Sequence, residues 1–390
     1  MSEEKKEEMA TNENLNPLST EEIVQRLNEM KQLVVQSLPN EYVASFSSFL
    51  PLHMAALMGK VGDIDKLVKN KMADARKKTH DQRTPLHVAC AAGQDTAVQA
   101  LISLGADINA KQEGEVTALM LASCYCNSKT LKMLLTYGAD VKAKNANLCT
   151  ALHFAAARGD NRNVKFLLEN SCEINIKNAD GATPLHLSSL QGHRETVELL
   201  IQNGCKINSF DKLGYFPLHY ACFGGHGDIF KCLMKHGAKM VSISNNSFTP
   251  LHLAVLYGQI DICKIILDYM SDVNVSTRGR VTPLMLAAMK NNYRLVEFLI
   301  NKGATLSARH TSGKTALHLA SQRDVAELLL DRGSHVSYVD QSGCTSLHRA
   351  AMMDSTEVIK VPINANTCDY TAKMQHDYYN VLTVILNKLI

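Results

Sequence analysis

The sequence predicts an all-α repeat solenoid, made of stacked helix-turn-helix units with β-hairpin tips. Three observations carry this reading. A short phrase, Thr-Pro-Leu-His or a close variant, recurs with its first residue at Thr84, Thr117, Thr150, Thr183, Phe216, Thr249, Thr282 and Thr315, always 33 residues apart. A fixed period of this size marks a repeat architecture. Each copy holds two short apolar-periodic segments punctuated by glycine, which fits a helix pair. The 390 residues include no Trp and only 6% aromatics, so a core must come from small and aliphatic side chains.

One unit shows how the elements arise. Thr183 is a good N-cap, and Pro184 follows at the first helical position, where a missing N–H costs nothing. Gly192 suits the left-handed residue that ends a helix. Val197, Leu200 and Ile201 then share one face of a second helix, which Gly204 ends. An extended stretch, Ile207 to Phe210, and a polar turn complete the unit. No such unit buries its own apolar face, so neighbours must bury it jointly. Small pairs such as Ala155-Ala156, Ala287-Ala288 and Ala350-Ala351 let the first helices approach closely.

The ends follow less regular patterns. Residues 1–18 are acidic and polar and read as disordered. Residues 19–44 read as a capping helix region: Ser19 and Glu22 form a capping box, and Ile23, Leu27, Met30 and Val34 follow at helical spacing. The repeat domain of about ten units spans 45–353, with Leu50 heading its first phrase. The unit at Thr315 lacks three residues between its helices, and its Ser321-Gln322-Arg323-Asp324 has no terminating glycine. The unit at Thr345 loses the Leu-rich half of its second helix, so 354–390 reads as a degenerate repeat or cap, the product of a truncated isoform or an incorrect gene model.

The period and phrase together resemble ankyrin repeats, over about residues 45 to 350. The resemblance implies that His53, His87, His153, His186, His219, His252, His318 and His348, each three residues after an anchor, bond the anchor and nearby backbone. Met120 and Met285 take that place in two units, which lose the bond. It also raises hydroxylation at Asn109, Asn175, Asn208 and Asn274, set against a plain hairpin hydrogen bond there.

Chemistry finds little support. Lys plus Arg is 41 against 38 for Asp plus Glu, a net charge of +3, which excludes nucleic-acid binding by bulk electrostatics. His219, Cys222, His226, Cys232 and His236 suggest zinc by composition. Repeat register assigns the first, second and fourth to core places and leaves His226 and His236 exposed, so no metal is expected. Gly313-Lys314-Thr315 resembles the end of a phosphate loop, but Ala308 stands where its first Gly belongs. No catalytic motif is present, and no cofactor and no enzyme activity are expected. No run of 18 apolar residues predicts a membrane span. With eleven Cys and no secretory pattern, a reducing cytoplasmic or nuclear setting is expected.

The resemblance places partner contacts on a concave surface of hairpin tips and first-helix ends. In this chain that surface includes Leu190, Gln191, Lys212, Leu213, Tyr215, Phe223, Asn245, Asn246, Phe248, Leu256, Tyr257, Arg278, Met289 and Lys290. The units at Phe216 and Thr249 are apolar and aromatic there, while Arg158, Lys212, Arg278, Lys290 and Lys314 flank them with few acids. The expected partner is a protein with an apolar segment flanked by acidic residues. The expected function is a non-catalytic scaffold, adaptor or regulatory subunit, similar to ankyrin-repeat subunits of serine/threonine phosphatases. The alternatives are an ankyrin fragment of a cation channel and a Cys/His metal- or redox-responsive sensor.

Overall fold

The computed structural model describes residues 49–125, 127–240 and 247–352. The expected disordered start, capping helix region and degenerate tail lie outside the described residues. The chain divides into two compact units, one ending at Lys239 and the other beginning at Met240.

The first unit alternates inner and outer helices: α1 (Pro51–Leu57), α2 (Val61–Lys69), α3 (Pro85–Ala91), α4 (Asp95–Ser103), α5 (Ala118–Cys124), α6 (Ser128–Thr136), α7 (Ala151–Arg158), α8 (Asn161–Glu169), α9 (Pro184–Gln191), α10 (Arg194–Gln202), α11 (Pro217–Gly224) and α12 (Gly227–Lys235). The second runs α13 (Pro250–Leu256), α14 (Ile260–Tyr269), α15 (Pro283–Met289), α16 (Tyr293–Asn301), α17 (Ala316–Leu319), α18 (Arg323–Asp331) and α19 (Ser346–Met352). Within the first unit, each inner helix packs on the next inner helix and each outer helix on the next outer one. None of the helices in the described residues is long and apolar enough to cross a membrane.

The anchor phrase explains each inner helix. Thr84 is extended at the N-cap, its Oγ1 accepts the His87 N–H at 3.4 Å, and Pro85 starts the helix. The apolar faces then meet. Ala155, Ala156, Ala287 and Ala288 are fully buried, as are Val164, Leu167, Val197, Leu200, Val296 and Leu299 on the outer helices. Each buried Val or Leu contributes roughly 1.5–3 kcal/mol. Among the described residues no strand forms at the hairpin tips. The described residues hold two isolated bridges, Lys111 to Thr117 and Val339 to Thr345. The tips instead turn on one side chain, as where Asn178 Oδ1 accepts the N–H groups of Asp180 and Ala182 at 3.0 and 2.8 Å.

Beside backbone bonds between adjacent tips, three kinds of side-chain bond recur between consecutive repeats. The anchor histidine is the first. His153 Nδ1 accepts the Thr150 N–H at 3.1 Å, and its Nε2 donates to the Ala182 carbonyl, 3.2 Å away in the next repeat. His87, His186, His252 and His318 make the same bridge to Val116, Tyr215, Val281 and Cys344 at 3.0–3.2 Å. A hairpin asparagine is the second. Asn109, Asn175, Asn208 and Asn274 each accept, through Oδ1, a backbone N–H 31 residues on, at 2.7–2.8 Å. These are bonds between repeats, not within one hairpin.

The third is a residue that caps the preceding inner helix. Gln94, Asn127, His193 and His226 donate to the carbonyls of Leu57, Cys90, Ala157 and Leu190 at 2.7–3.1 Å. Such close approach requires glycine. Gly159 has φ +71°, and a Cβ there would sit 2.4 Å from His193 Nδ1. His226, expected to be exposed, is half-buried because it serves this bond.

The unit at Thr315 is shortened as its sequence implies. Its inner helix α17 has four residues, and Ala320 is already extended. Asn291, at φ +52°, fills the gap: its Oδ1 accepts the N–H groups of Ser321 and Gln322 at 3.0 Å, and its Nδ2 donates to Ser321 Oγ at 2.6 Å.

Two outcomes follow from these bonds. Gly159→Ala should lower stability by about 2–3 kcal/mol, combining left-handed strain with loss of the His193 bond. Gly105→Ala, at φ +87° with open space around it, should cost only the strain, about 1–2 kcal/mol. Urea midpoints of the two variants check this, and equal losses would refute the His193 contribution.

The second concerns acid. Burial above all, opposed by the bonded carbonyls, holds His87, His153 and His252 down to about 4 and His186 to about 3. The same geometry demands a neutral ring, since Nδ1 must accept. The unfolded chain therefore binds more protons below pH 6.5, so stability is full above 6.5 and falls as pH drops toward 4. By pH 5 each such histidine should cost about 2 kcal/mol. Urea midpoints at pH 7 and pH 5 measure this, and an unchanged midpoint would contradict it.

Candidate functional site

The residues that suggest chemistry are already engaged in the fold. His219 and Cys222 are fully buried and Cys232 nearly so, while His226 reaches the Leu190 carbonyl and His236 Nδ1 donates to the Cys232 carbonyl at 2.9 Å. Among the described residues no three His, Cys, Asp or Glu side chains come together in a way that could hold a metal ion. Burial pushes the thiols up, to about 11 at Cys149 and Cys172 and about 12 at Cys205 and Cys263. That suppresses the thiolate on which redox and metal chemistry depend. Gly313 turns the hairpin at φ +81°, packed so that a Cβ would meet Asp340 Cα at 3.0 Å.

In each unit, hairpin tips and inner-helix ends form the candidate surface, and burial divides its expected residues. In the first unit Lys212 is exposed and Leu213 and Gln191 are half-exposed, but Leu190, Tyr215 and Phe223 are buried at 4%, 2% and 5% exposure. In the second, Arg278 and Lys290 are exposed and Met289 is half-exposed. Tyr257 is half-buried, and Phe248 and Leu256 are buried at 2% and 5% exposure. Asn245 and Asn246 lie outside the described residues. The apolar, aromatic centre is thus corrected: five of its side chains belong to the core.

The physical reason is register. The residue just before an anchor lies under the tip. There the Tyr215 ring packs 5.4 Å from the His219 ring while its carbonyl takes the His186 bond, and the Phe248 ring packs 5.5 Å from His252. The same column holds Val116, Cys149, Ala182, Val281 and Cys344, with half-exposed Arg83 and Lys314 as its two charged members. Seven residues after the anchors stand Cys124, Ala157, Leu190, Phe223, Leu256 and Met289. Both columns are mostly apolar, a mark of interior positions visible in the sequence itself.

Other groups take their place. Arg158 ends α7 with Nη2 3.9 Å from Cys124 Sγ, and its Nε is buried without a hydrogen-bond partner. Arg158 and Arg83 both lie in electrostatic reach of the Tyr125 phenol, which burial pushes well above its usual range. Tyr125 was not among the expected contact residues, although it sits eight residues after Thr117, in the same register as Arg158 and Lys290.

The family description "Ankyrin repeats (3 copies)" matches residues 24–112, 52–145, 119–211, 209–277 and 284–374. Among solved structures, the human ASB11 ankyrin repeat domain superposes with a TM-score of 0.52 at 29% identity, covering 56% of this chain and 98% of that one. No curated protein sequence matches. The matched segments run over most of the chain, and the chain belongs to the ankyrin-repeat family.

Proposed function

We propose that this chain is a non-catalytic adaptor, scaffold or regulatory subunit of the cytoplasm that binds other proteins on its concave surface. Ankyrin repeats are in general protein-interaction modules, and the fold is typically non-catalytic. One observation carries the reading for this chain. The eight anchor histidines and most of the described cysteines are buried in the core or between repeats, whereas Lys212, Leu213, Arg278 and Lys290 reach the surface and their side chains make no hydrogen bond to a neighbouring repeat. Side chains free of folding duty are available for recognition. With the aromatic centre buried, the partner's apolar segment loses its anchor, and acidic flanks become the stronger expectation.

Affinity purification with mass spectrometry tests this. An Arg158→Ala, Lys212→Ala, Leu213→Ala variant with unchanged circular dichroism should lose specific partners of the wild type ~tenfold or more. Full retention of the same partners would remove the first unit's concave surface from the proposal.

A further inference from the structure

Charge is not spread evenly along the chain. Residues 273–323 hold eight Lys and Arg and a single acid, Glu297, in a protein whose whole charge is only +3. Four of these cations, Arg278, Arg280, Lys290 and Lys314, stand in two consecutive repeats of the second unit. Arg278, Arg280 and Lys314 belong to hairpin tips, and Lys290 follows the end of α15. The first three in sequence are exposed and Lys314 is half-exposed. None makes a hydrogen bond or ion pair through its side chain with any described residue. Arg294, Lys302 and Arg323, by contrast, lie on or at the ends of outer helices, and Arg323 is paired with Glu327.

The tips that carry the cations are fixed to each other. The Thr311 N–H donates to the Gly279 carbonyl at 3.0 Å, and the Gln341 N–H donates to the Ser312 carbonyl at 2.9 Å. A Cβ on Gly279 would lie 3.5 Å from His310 Nε2, so that ring packs beside the Arg278–Arg280 turn. Burial and nearby Lys314 hold the His310 imidazole below its usual range, in keeping with a basic neighbourhood. Arg309 is spent on structure: it donates to the Gly313 and Val339 carbonyls and stacks over Tyr338. Beside Lys290, half-exposed Met289 borders the place where α17 is cut short. No Asp or Glu occurs in either tip or in α15 and α17.

We infer that Arg278, Arg280, Lys290 and Lys314 form a docking strip for an extended acidic segment of a partner protein. The inference rests on the protein-binding reading above and names the chemistry of one partner. Unpaired cations on a stiff frame pay little to order when a carboxylate arrives. Adjacent repeats lie about one helix spacing apart, roughly 8–10 Å. An extended chain covers that distance in about three residues. Acidic residues at every third position therefore meet successive repeats. A single-stranded nucleic acid fits less well, because such sites interleave cations with stacking aromatics. Tyr293, the one exposed aromatic of residues 273–323, begins outer helix α16.

Fluorescence anisotropy on the full chain tests the strip. The probes are a labelled peptide of four Glu-Gly-Ser repeats, its Gln-Gly-Ser counterpart and an oligouridine of similar length. The Glu peptide should bind more tightly than both others and weaken as salt rises. Arg278→Gln, Arg280→Gln, Lys290→Gln, Lys314→Gln should weaken it by ~tenfold or more. Removing four exposed lysines of the first unit (Lys77, Lys78, Lys129 and Lys165 to Gln) should change it less than about twofold at physiological salt, since distant charges are screened. Equal loss in both variants, absence of binding, or tighter binding of the oligouridine would each overturn the strip. Partners captured through Arg158, Lys212 and Leu213 would still stand in that case, so failure of the strip and failure of the wider reading are distinguishable.

Discussion

A neutral imidazole held between two repeats sets the terms for everything else in this protein. His153 accepts from its own anchor and donates to the backbone of the next unit. It therefore fixes both the start of an inner helix and the distance to the neighbouring hairpin. The bond survives only in the dry interior, and the interior exists only because adjacent helices present alanines and aliphatic side chains to each other. Polar geometry and apolar burial are thus the same constraint seen from two sides. The asparagine bonds at the tips and the glycine-backed caps at the inner-helix ends extend that constraint along the array.

This arrangement bears on where the proposed recognition would lie. The anchor histidines and hairpin asparagines are consumed by connection, and most of the described cysteines by the core. Variation is left to the rims, where Arg158, Lys212 and the basic tips differ from their counterparts in other repeats. In the proposed reading, a fold so repetitive in its interior would distinguish one partner from another through a small set of exposed side chains.

Much of the architecture was legible in the sequence because its cause is local. Thr-Pro at a helix start, glycine at its end and a regular period need no long-range knowledge. The shortened unit was equally plain from three missing residues, though the part played by Asn291 was not, since it depends on a contact across repeats. Tyr215 and Phe248 show the other limit. A large ring suggests a binding anchor when one unit is considered alone, yet the apolar residues in the same column of most other units mark an interior place. The side of a tip on which a side chain falls depends on packing against the following helix, and only comparison between repeats makes that visible.

The replacement of the anchor histidine by Met120 and Met285 carries a consequence for how the array comes apart. In a one-dimensional stack, cooperativity is a chain of nearest-neighbour couplings. A methionine fills the volume but offers no donor to the following repeat. The junctions after the repeats of Thr117 and Thr282 are therefore softer links, each within one compact unit. Unfolding that begins at an end of a unit should pause at such a junction, so each unit should come apart in short cooperative blocks and not in a single step.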